Sequence, residues 1–420
     1  MKILKKLPST ALLCCIAIIA LMPVKLYAQE YSFIDNAKNT ITDPNKTLTQ
    51  FYKNLGLLSK SANKTTADTA PLQVPIIHFG DSHTQGGYMT EVTRRNLQRR
   101  FGNAGRGFVT PLKLSRSNEP RDYSISSNTT FTATRIVSRT NYNTSGICGI
   151  SLKPVNPNSQ FKITLLDTPD DPLAYDFTRI HALHSPNAPL ITAPQELLCD
   201  NSISTINTNQ CETVIHLKQP LNKVVLKTFS HDEFSSGEFY GFSLENDNNG
   251  IIYHTIGVNS ATYHHWGRIK APADQSATLH PGLIIISLGA NETVARNVEK
   301  ERLYTQIDSF VSKLLIANPK TPIILTTPIE TMRRISGKTY PNTSYKDVVE
   351  VIKKYATEKK IAFYDMYAIM GGDNSSKLLE KEGLLRPDKI HFTVEGYKLQ
   401  GKLLYNALLN SYERYIRENN

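Results

Sequence analysis

The sequence lacks the features that mark multi-span membrane proteins, zinc proteins and nucleic-acid-binding proteins. Its only long apolar run lies at residues 11–22, so a multi-span membrane protein is excluded. It contains no Cys-x-x-Cys, His-x-x-x-His or His-Glu-x-x-His spacing, and therefore no zinc site is predicted. No nucleic-acid-binding motif is present either. With 40% hydrophobic and 20% charged residues among 420, the composition is that of a globular chain.

The N-terminal 28 residues have the pattern of a secretory signal peptide. Three lysines precede the apolar run, and Ala28 offers a small residue for cleavage. The run is too short to be a transmembrane helix. We predict a signal peptide over residues 1–28, a periplasmic or secreted location, and no membrane span after cleavage. An uncleaved anchor is the alternative.

The net charge is positive, but less so once this segment is set aside. The formal charge is +11, and four of the lysines lie in residues 1–28, which leaves +7 for residues 29–420. Attraction to anionic polymers or membrane surfaces is one interpretation of this charge. The basic residues are scattered, however, which favours an ordinary solvated surface.

Three cysteines lie beyond the predicted signal peptide. An exported protein meets an oxidising environment, which permits disulfide bonds. The short separation of Cys199 and Cys211 makes these two the predicted pair and leaves Cys148 as a free thiol.

Short apolar strands alternate with amphipathic helical patterns over much of the chain. Strands are predicted over five ranges, at residues 74–79, 250–256, 283–288, 322–327 and 361–364. Helices are predicted over residues 87–100 and 345–359, through Leu303 to Leu314, and in the C-terminal stretch. Uniformly apolar strands form parallel sheets with helices on both faces. The predicted fold class is therefore a three-layer α/β domain.

Residues 114–246 follow a different pattern. Their β-branched and aromatic residues recur with period two between clusters of Asn, Pro, Ser and Asp, which is typical of antiparallel strands. We predict an all-β domain inserted between two parts of the α/β domain, which are residues 29–113 and 247–420.

The first candidate site residue is Ser82, in the sequence Gly80-Asp81-Ser82. This sequence stands between the first predicted strand and its helix. Ligands of open parallel sheets bind at this carboxyl end of the strands, and a serine there meets the free N–H groups of the following helix. Ser82 is thus a candidate nucleophile. A helix cap in a tight turn is the alternative.

Asp388 and His391 form a second candidate motif just before the final helix. A nucleophilic serine needs a base within hydrogen-bond reach, and the base needs a partner that fixes its tautomer. A spacing of three residues lets Asp388 contact the imidazole of His391. An aspartate that only caps the helix is the alternative.

Two further strand ends offer donors for a developing oxyanion. Asn291 follows the strand at residues 283–288, where its amide can donate a hydrogen bond. The turn at residues 257–261 contains Gly257 and Ser260, and small residues there allow a backbone N–H to approach. Each feature by itself is also compatible with an ordinary loop.

Taken in order, these motifs resemble the four blocks of the SGNH or GDSL hydrolases. The matching sequences are Gly80-Asp81-Ser82, the turn 257–261, Gly289-Ala290-Asn291-Glu292 and Asp388-Lys389-Ile390-His391. The resemblance implies a flavodoxin-like three-layer domain in which Ser82 is the nucleophile, His391 the general base and Asp388 its orienting carboxylate. It also implies an oxyanion hole that combines the Asn291 amide with the backbone N–H groups of Ser82 and Ser260.

Two departures from the family pattern concern the site. His83 stands where the family name has leucine. Ser260 stands where the second block has its glycine, so Gly257 remains a competing source of the oxyanion N–H.

A narrower likeness concerns the substrate class. Residues 78–84 and 101–108, together with the β-rich insertion, resemble the exported peptidoglycan O-acetylesterases of Gram-negative bacteria, in which the insertion is similar to a carbohydrate-binding module. The likeness implies a serine esterase that removes O-acetyl groups from cell-wall glycan through an acetyl-serine intermediate, without a metal or organic cofactor. The alternatives are a peptidoglycan O-acetyltransferase with the same triad, an acetylesterase of xylan or another polysaccharide, and a catalytically silent glycan-binding protein.

Overall fold

The computed structural model describes residues 31–61, 70–167, 175–199, 205–207, 211–229, 237–294 and 297–419. The predicted signal peptide, residues 1–28, lies outside these ranges. The α-helices in the described ranges are α1 (Thr49–Ser61), α2 (Ser82–Gln85), α3 (Tyr88–Phe101), α4 (Tyr263–Gly267), α5 (Ala271–Ser276), α6 (Lys300–Ala317), α7 (Ser344–Glu358), α8 (Met366–Ile369), α9 (Ser375–Lys381) and α10 (Val394–Asn419).

Within the same described ranges, the strands are distributed over four sheets. In chain order they are β1 (Gln73–Gly80), β2 (Gly105–Val109), β3 (Tyr123–Ser126), β4 (Phe131–Arg135), β5 (Ile150–Pro154), β6 (Gln160–Leu165), β7 (Phe177–His184), β8 (Leu190–Thr192), β9 (Thr205–Asn207), β10 (Glu212–Leu221), β11 (Lys223–Phe229), β12 (Phe239–Glu245), β13 (Gly250–Gly257), β14 (Leu283–Ser287), β15 (Ile323–Thr326), β16 (Met332–Ile335), β17 (Lys338–Pro341) and β18 (Ala362–Tyr364).

A five-stranded parallel sheet forms the centre of the α/β domain. Its strand order is β13-β1-β14-β15-β18, and every pair in it is parallel. Numbered within this sheet, the order is 2-1-3-4-5, which is the flavodoxin-like arrangement. The second strand in chain order, β13, lies on one side of β1, and the later strands lie on the other side, so the strand order reverses between β1 and β14. Ligands of such sheets bind outside the carboxyl ends of the strands at this switch point.

Alternate residues of the central strands face two separate helical layers. On one face, Ile76 and Ile285 join a core that includes residues of α1, α3 and α10. On the other face, Ile77 and Ile284 join a core that includes α6 and α7. This period-two division of apolar strands produces the three layers. The predicted fold class is confirmed.

The β-rich insertion consists of antiparallel sheets between α3 and β13. One sheet has the order β4-β5-β12-β7-β10-β9 with β2 paired to β12, and the other has the order β3-β6-β11-β8. Phe161 packs against Phe239 and Phe242, with ring centroids 5.2 and 5.1 Å apart. Because β2 precedes residue 114 and still belongs to this sheet, the exact domain boundaries stay a prediction.

The cysteines match the sequence expectation only in part. Cys148 is a buried free thiol, as predicted, with its sulfur 2.8 Å from the carbonyl oxygen of Tyr240. The predicted disulfide between Cys199 and Cys211 is not present in the structure. Cys199 follows a 3₁₀ turn at Gln195–Leu197, and Cys211 directly precedes β10. Sequence separation alone does not set the geometry that a disulfide needs.

A short hairpin projects from the loop between β15 and α7. Strands β16 and β17 are joined by Ser336 and Gly337, which have φ values of +47° and +84°. Positive φ at both positions is the signature of a type I′ turn, whose twist suits a two-residue hairpin. From Arg334 to Tyr340 the hairpin is exposed to solvent.

Candidate active site

Ser82 begins α2 directly after the end of β1. Asp81 caps this helix, because its Oδ1 atom accepts a hydrogen bond from the backbone N–H of His83 at 2.9 Å. The abrupt change from strand to helix leaves the Ser82 side chain half-buried at the carboxyl edge of the sheet. The strand-end position predicted for Ser82 is therefore what the structure shows.

Ser82, His391 and Asp388 are connected by two short contacts. The Nε2 atom of His391 lies 3.1 Å from Oγ of Ser82, and its Nδ1 atom lies 2.8 Å from Oδ2 of Asp388. With the Nδ1 proton donated to Asp388, Nε2 is left to accept the proton of the serine hydroxyl. Three side chains separated by some 300 residues thus form the arrangement of a serine nucleophile, a base and an orienting carboxylate.

The carboxylate of Asp388 is fixed by its own loop. Its Oδ1 atom accepts hydrogen bonds from the backbone N–H groups of Ile390 and His391, both at 2.9 Å. Partial burial alone would raise the pKa of Asp388, but these two bonds and the bond from the His391 ring outweigh it and lower the pKa. The carboxylate is therefore ionised throughout the neutral range.

Asn291 lines the same cleft as Ser82 and lies in a 3₁₀ turn that follows β14. Its Nδ2 atom donates to the carbonyl oxygen of Ala261 at 2.9 Å and to Oδ2 of Asp81 at 3.3 Å. The first bond is short and orients the amide. The second bond, to Asp81, is long and therefore weak. The hydrogen that forms it is available to bond instead to an oxyanion that develops at Ser82.

The geometry of the turn after β13 bears on whether Ser260 or Gly257 is equivalent to the glycine of the second family block. Ser260 has a φ of +67°, in the left-handed region that favours glycine, and it lines the cleft that contains Ser82. Gly257 does not line that cleft. A Cβ atom added there would lie 2.3 Å from the backbone nitrogen of Gln85, so Gly257 allows the close approach of β13 and α2. This geometry favours Ser260 as the position equivalent to the block glycine.

Gln85 holds this turn in place. Its buried side chain accepts a hydrogen bond from the backbone N–H of Asn259 at 2.8 Å and donates to Ser117 and to Asn118. The side chain of Asn259 also donates to Asn118 at 2.9 Å. The backbone beside Ser260 is thus positioned by α2 itself, three residues after Ser82.

Two buried carboxyl groups lie beneath the site. Burial raises the pKa of Asp81 to about 7, although the N–H of His83 bonds its carboxylate. Burial likewise raises the pKa of Glu292 to about 7, and the nearby Asp81 adds to this effect. Oε1 of Glu292 accepts the backbone N–H of Tyr263 at 2.7 Å. Neither carboxyl group lines the cleft that contains Ser82, and Oδ2 of Asp81 contacts the amide of Asn291, which does.

His83 packs directly beside the imidazole of His391. Its Nδ1 atom lies 3.0 Å from the hydroxyl of Tyr397, and its ring also contacts Phe392 edge-on. Removal of its ring from water lowers the pKa of His83 to about 3, and the neighbouring His391 adds to the lowering. His83 is accordingly neutral at the pH values at which His391 would act as a base.

The site opens into a cleft of about 1140 Å³. Ser82, Ser260, Asn291 and His391 all contribute to its lining. The hairpin β16–β17 forms part of the wall, together with side chains from the loops before α10 and after β2. A cleft of this size accommodates a ligand much larger than an acetyl group.

Comparison with known proteins agrees with this geometry. Residues 233–399 match the model of the GDSL-like lipase/acylhydrolase family. The chain carries a GDSL-like acylhydrolase domain. The predicted SGNH/GDSL relationship is confirmed for this acylhydrolase domain. No curated protein matches the chain.

Solved structures are similar to this chain over different lengths. A peptidoglycan O-acetylesterase matches with a TM-score of 0.70 and 19% identity over 89% of this chain and 99% of its own. At that identity the likeness shows the fold alone. A lipase/acylhydrolase from Enterococcus faecalis has 20% identity over 38% of this chain and 75% of its own, with a TM-score of 0.29. A catalytic mutant of an acetylxylan esterase from Geobacillus stearothermophilus has 19% identity over 39% and 73%, with a TM-score of 0.30.

The α/β domain brings most of the sequence-predicted site residues into one cleft. The cleft is lined by Ser82, Ser260, Asn291 and His391. Asp388 contacts His391 at Nδ1, the ring nitrogen that does not contact Ser82. The sequence interpretation missed Gln85, which fixes the turn, and the arginines of the cleft wall. The sequence Arg333-Arg334 before a Ser-Gly turn was the available signal for an exposed basic hairpin.

Among the described residues, no group of three or more His, Cys, Asp or Glu side chains is arranged so that it could hold a metal ion. Within the same residues, the helices are all too short or too polar to traverse a bilayer.

Proposed function

We propose that this esterase removes O-acetyl groups from a cell-wall glycan, with peptidoglycan as its substrate and Ser82, His391 and Asp388 as its catalytic triad. The observation that carries the proposal is the pair of contacts at His391, 3.1 Å to Ser82 and 2.8 Å to Asp388. The long cleft and the whole-chain likeness to a peptidoglycan O-acetylesterase support a polymeric glycan over a small ester.

The reaction proceeds by acyl transfer in two steps. His391 accepts the Ser82 proton while the serine oxygen attacks the acetyl carbonyl, and Asn291 with the N–H groups of Ser82 and Ser260 stabilises the oxyanion. The protonated His391 then donates its proton to the departing sugar oxygen. In the second step, His391 activates a water molecule that hydrolyses the acetyl-serine and releases acetate.

Export to the periplasm or the cell exterior is part of the proposal, because a cell-wall glycan lies outside the cytoplasm. The pattern of residues 1–28 supports this location. The β-rich insertion contributes Asn118, Glu119 and Arg121 to the cleft lining and so adds surface that a polymer can contact.

The decisive experiment measures acetate release from O-acetylated peptidoglycan and from acetylated xylan. We expect the wild type to release acetate from peptidoglycan, and we expect Ser82→Ala to lose about 10³-fold or more in kcat because the nucleophile is gone. Ser126→Ala, at an exposed position at the end of β3 and outside the cleft lining, is the matched control and should behave as the wild type.

The remaining outcomes separate the alternative functions. Activity of Ser82→Ala close to that of wild type would exclude the triad. Faster acetate release from acetylated xylan than from peptidoglycan would indicate that xylan, and not peptidoglycan, is the substrate. Acetate that appears on an acceptor glycan only when a donor is supplied would indicate a transferase, and binding without any turnover would indicate a silent glycan-binding protein.

A further inference from the structure

The walls of the active-site cleft carry a marked excess of positive charge. Four arginines line it, and they come from three separate parts of the chain: Arg121 after β2, Arg333 and Arg334 in the hairpin, and Arg386 before α10. The acidic residue of the lining is Glu119, whose side chain is only 2% exposed and bonds to Lys113 at 3.2 Å. The charge that a ligand meets in the cleft is therefore positive.

Two of these arginines, Arg121 and Arg333, already form contacts with other residues of the protein. The Arg121 guanidinium forms an ion pair with Glu91, with Nε 3.0 Å from the carboxylate. The Arg333 guanidinium donates to the carbonyl oxygen of Thr293 and to the hydroxyl of Ser344. These contacts anchor the hairpin to the loop that contains Asn291.

The other two differ in both exposure and partners. Arg334 and Arg386 are exposed to solvent, and neither guanidinium has an ion-pair partner among the described residues. An exposed guanidinium in a cleft is a ready donor of paired hydrogen bonds to a carboxylate. Their charges are thus available to a ligand.

Backbone contacts fix these two arginines relative to the triad. The N–H of Met332, at the start of the hairpin, donates to the carbonyl oxygen of Lys389, which lies between Asp388 and His391, at 2.9 Å. The N–H of Arg386 donates to the carbonyl oxygen of His391 at 2.8 Å. The wall that carries both guanidinium groups is therefore joined directly to the loop that carries the proposed base.

We propose that Arg334 and Arg386 form a specificity site for a carboxylate on the acetylated glycan, so that the cleft selects an anionic polymer. The inference rests on the proposed function and deepens it. Peptidoglycan carries carboxylates on its stem peptides, whereas the sugar backbone of acetylated xylan is neutral. The site would thus contribute binding energy to peptidoglycan that a neutral acetylated glycan cannot obtain.

The test compares one glycan in two chemical states. O-acetylated peptidoglycan is prepared with its carboxylates free, and a second portion has them converted to methylamides. The quantity measured is the ratio of kcat/KM for the free form to that for the amidated form, because a general loss of activity cancels in this ratio. We expect a ratio of about tenfold for the wild type.

The variants are Arg334→Ala, Arg386→Ala and the double variant. We expect each single change to lower the ratio and the double variant to bring it close to one, while Arg334→Lys keeps part of it because a point charge remains. Lys338→Ala removes the same charge from the same hairpin at an exposed position outside the cleft lining, and it should keep the wild-type ratio.

Two results would overturn the inference: a wild-type ratio near one, or a double variant with the wild-type ratio. A ratio that falls equally in Lys338→Ala would also overturn it, since it would then report general surface charge. Failure of the proposed function has a different signature, which is acetate release by Ser82→Ala from either form of the glycan.

Discussion

The imidazole rings of His83 and His391 lie with their centroids 5.3 Å apart. Two cationic rings at this distance would repel each other, so the neutrality of His83, whose pKa is lowered to about 3, lets His391 take up a proton during turnover. His83 is therefore a positioning residue that packs against the proposed base without titrating beside it.

We expect His83→Leu to destabilise the fold but not to move the acidic limb of the pH–rate profile. The change leaves the buried hydroxyl of Tyr397 without its partner at 3.0 Å, which should lower the free energy of unfolding by about 1–3 kcal/mol. Denaturant unfolding of His83→Leu, Tyr397→Phe and the double variant measures this, and the two losses should be less than additive. A shift of the acidic limb by a full pH unit in His83→Leu would contradict the role.

Asp388→Asn should inactivate the enzyme while it leaves the loop intact. The Oδ1 atom of asparagine can still accept the N–H groups of Ile390 and His391, but its amide nitrogen would face Nδ1 of His391 and favour the tautomer with the proton on Nε2. That nitrogen could then no longer accept the Ser82 proton. We expect kcat to fall by about 10²–10⁴-fold. Steady-state kinetics together with an unchanged melting temperature checks this, and a loss below about fivefold would contradict it.

Substitutions in the turn after β13 separate the two glycine-block assignments. Ser260→Gly keeps the backbone N–H and removes a side chain from a position with positive φ, so kcat should stay within about threefold of wild type. Gly257→Ala places a methyl group 2.3 Å from the backbone of Gln85 and should lower the free energy of unfolding by about 2–4 kcal/mol. Kinetics and urea unfolding measure both effects. A Gly257→Ala enzyme as stable as the wild type would contradict the close approach of β13 and α2 at this position.

Asp81 should make the stability of the protein depend on pH in a defined direction. Its pKa is raised from 3.8 to about 7, so between these values the native state holds a proton that the unfolded chain has lost. Its contribution to the free energy of unfolding therefore falls as pH rises through this window. Asp81→Asn keeps a capping side chain but cannot ionise. We expect this variant to gain stability relative to wild type as pH rises from about 4 to about 7.

Urea unfolding of the two proteins across that window gives the required difference. The difference, rather than the wild-type curve alone, is informative because the buried His78 and the half-buried His83, whose pKa values are lowered to about 3, contribute the opposite slope. A difference that does not change with pH would show that Asp81 ionises normally in the native state.

The sequence was most informative where function coincides with strand ends. Ser82 and Asn291 could be placed because each directly follows a uniformly apolar strand, and parallel strands bring their carboxyl ends to one edge. Asp388 and His391 could be paired because three residues of loop are enough for their contact. These local patterns carry most of the chemistry.

The cleft wall could not be placed in the same way. The orientation of the hairpin depends on the contact between Met332 and Lys389, which are distant in sequence and carry no periodic signal. The insertion also separates Ser82 from the other blocks, and the family match begins only at residue 233. The prediction of a disulfide between Cys199 and Cys211 was wrong for a similar reason, because the distance between two cysteines depends on strand positions that sequence separation does not describe.

The central pair of sheet strands has a consequence for how the enzyme is assembled. Gln73 to Gly80 pair with Gly250 to Gly257, so the chain must be synthesised past the whole insertion before β1 gains this neighbour. Folding of the insertion brings its two ends together and so reduces the entropy lost when these strands join. Mutations deep in the insertion, far from the cleft, should therefore slow the pairing of β1 with β13. They should lower the yield of folded, active enzyme without changing the kcat of the molecules that have folded.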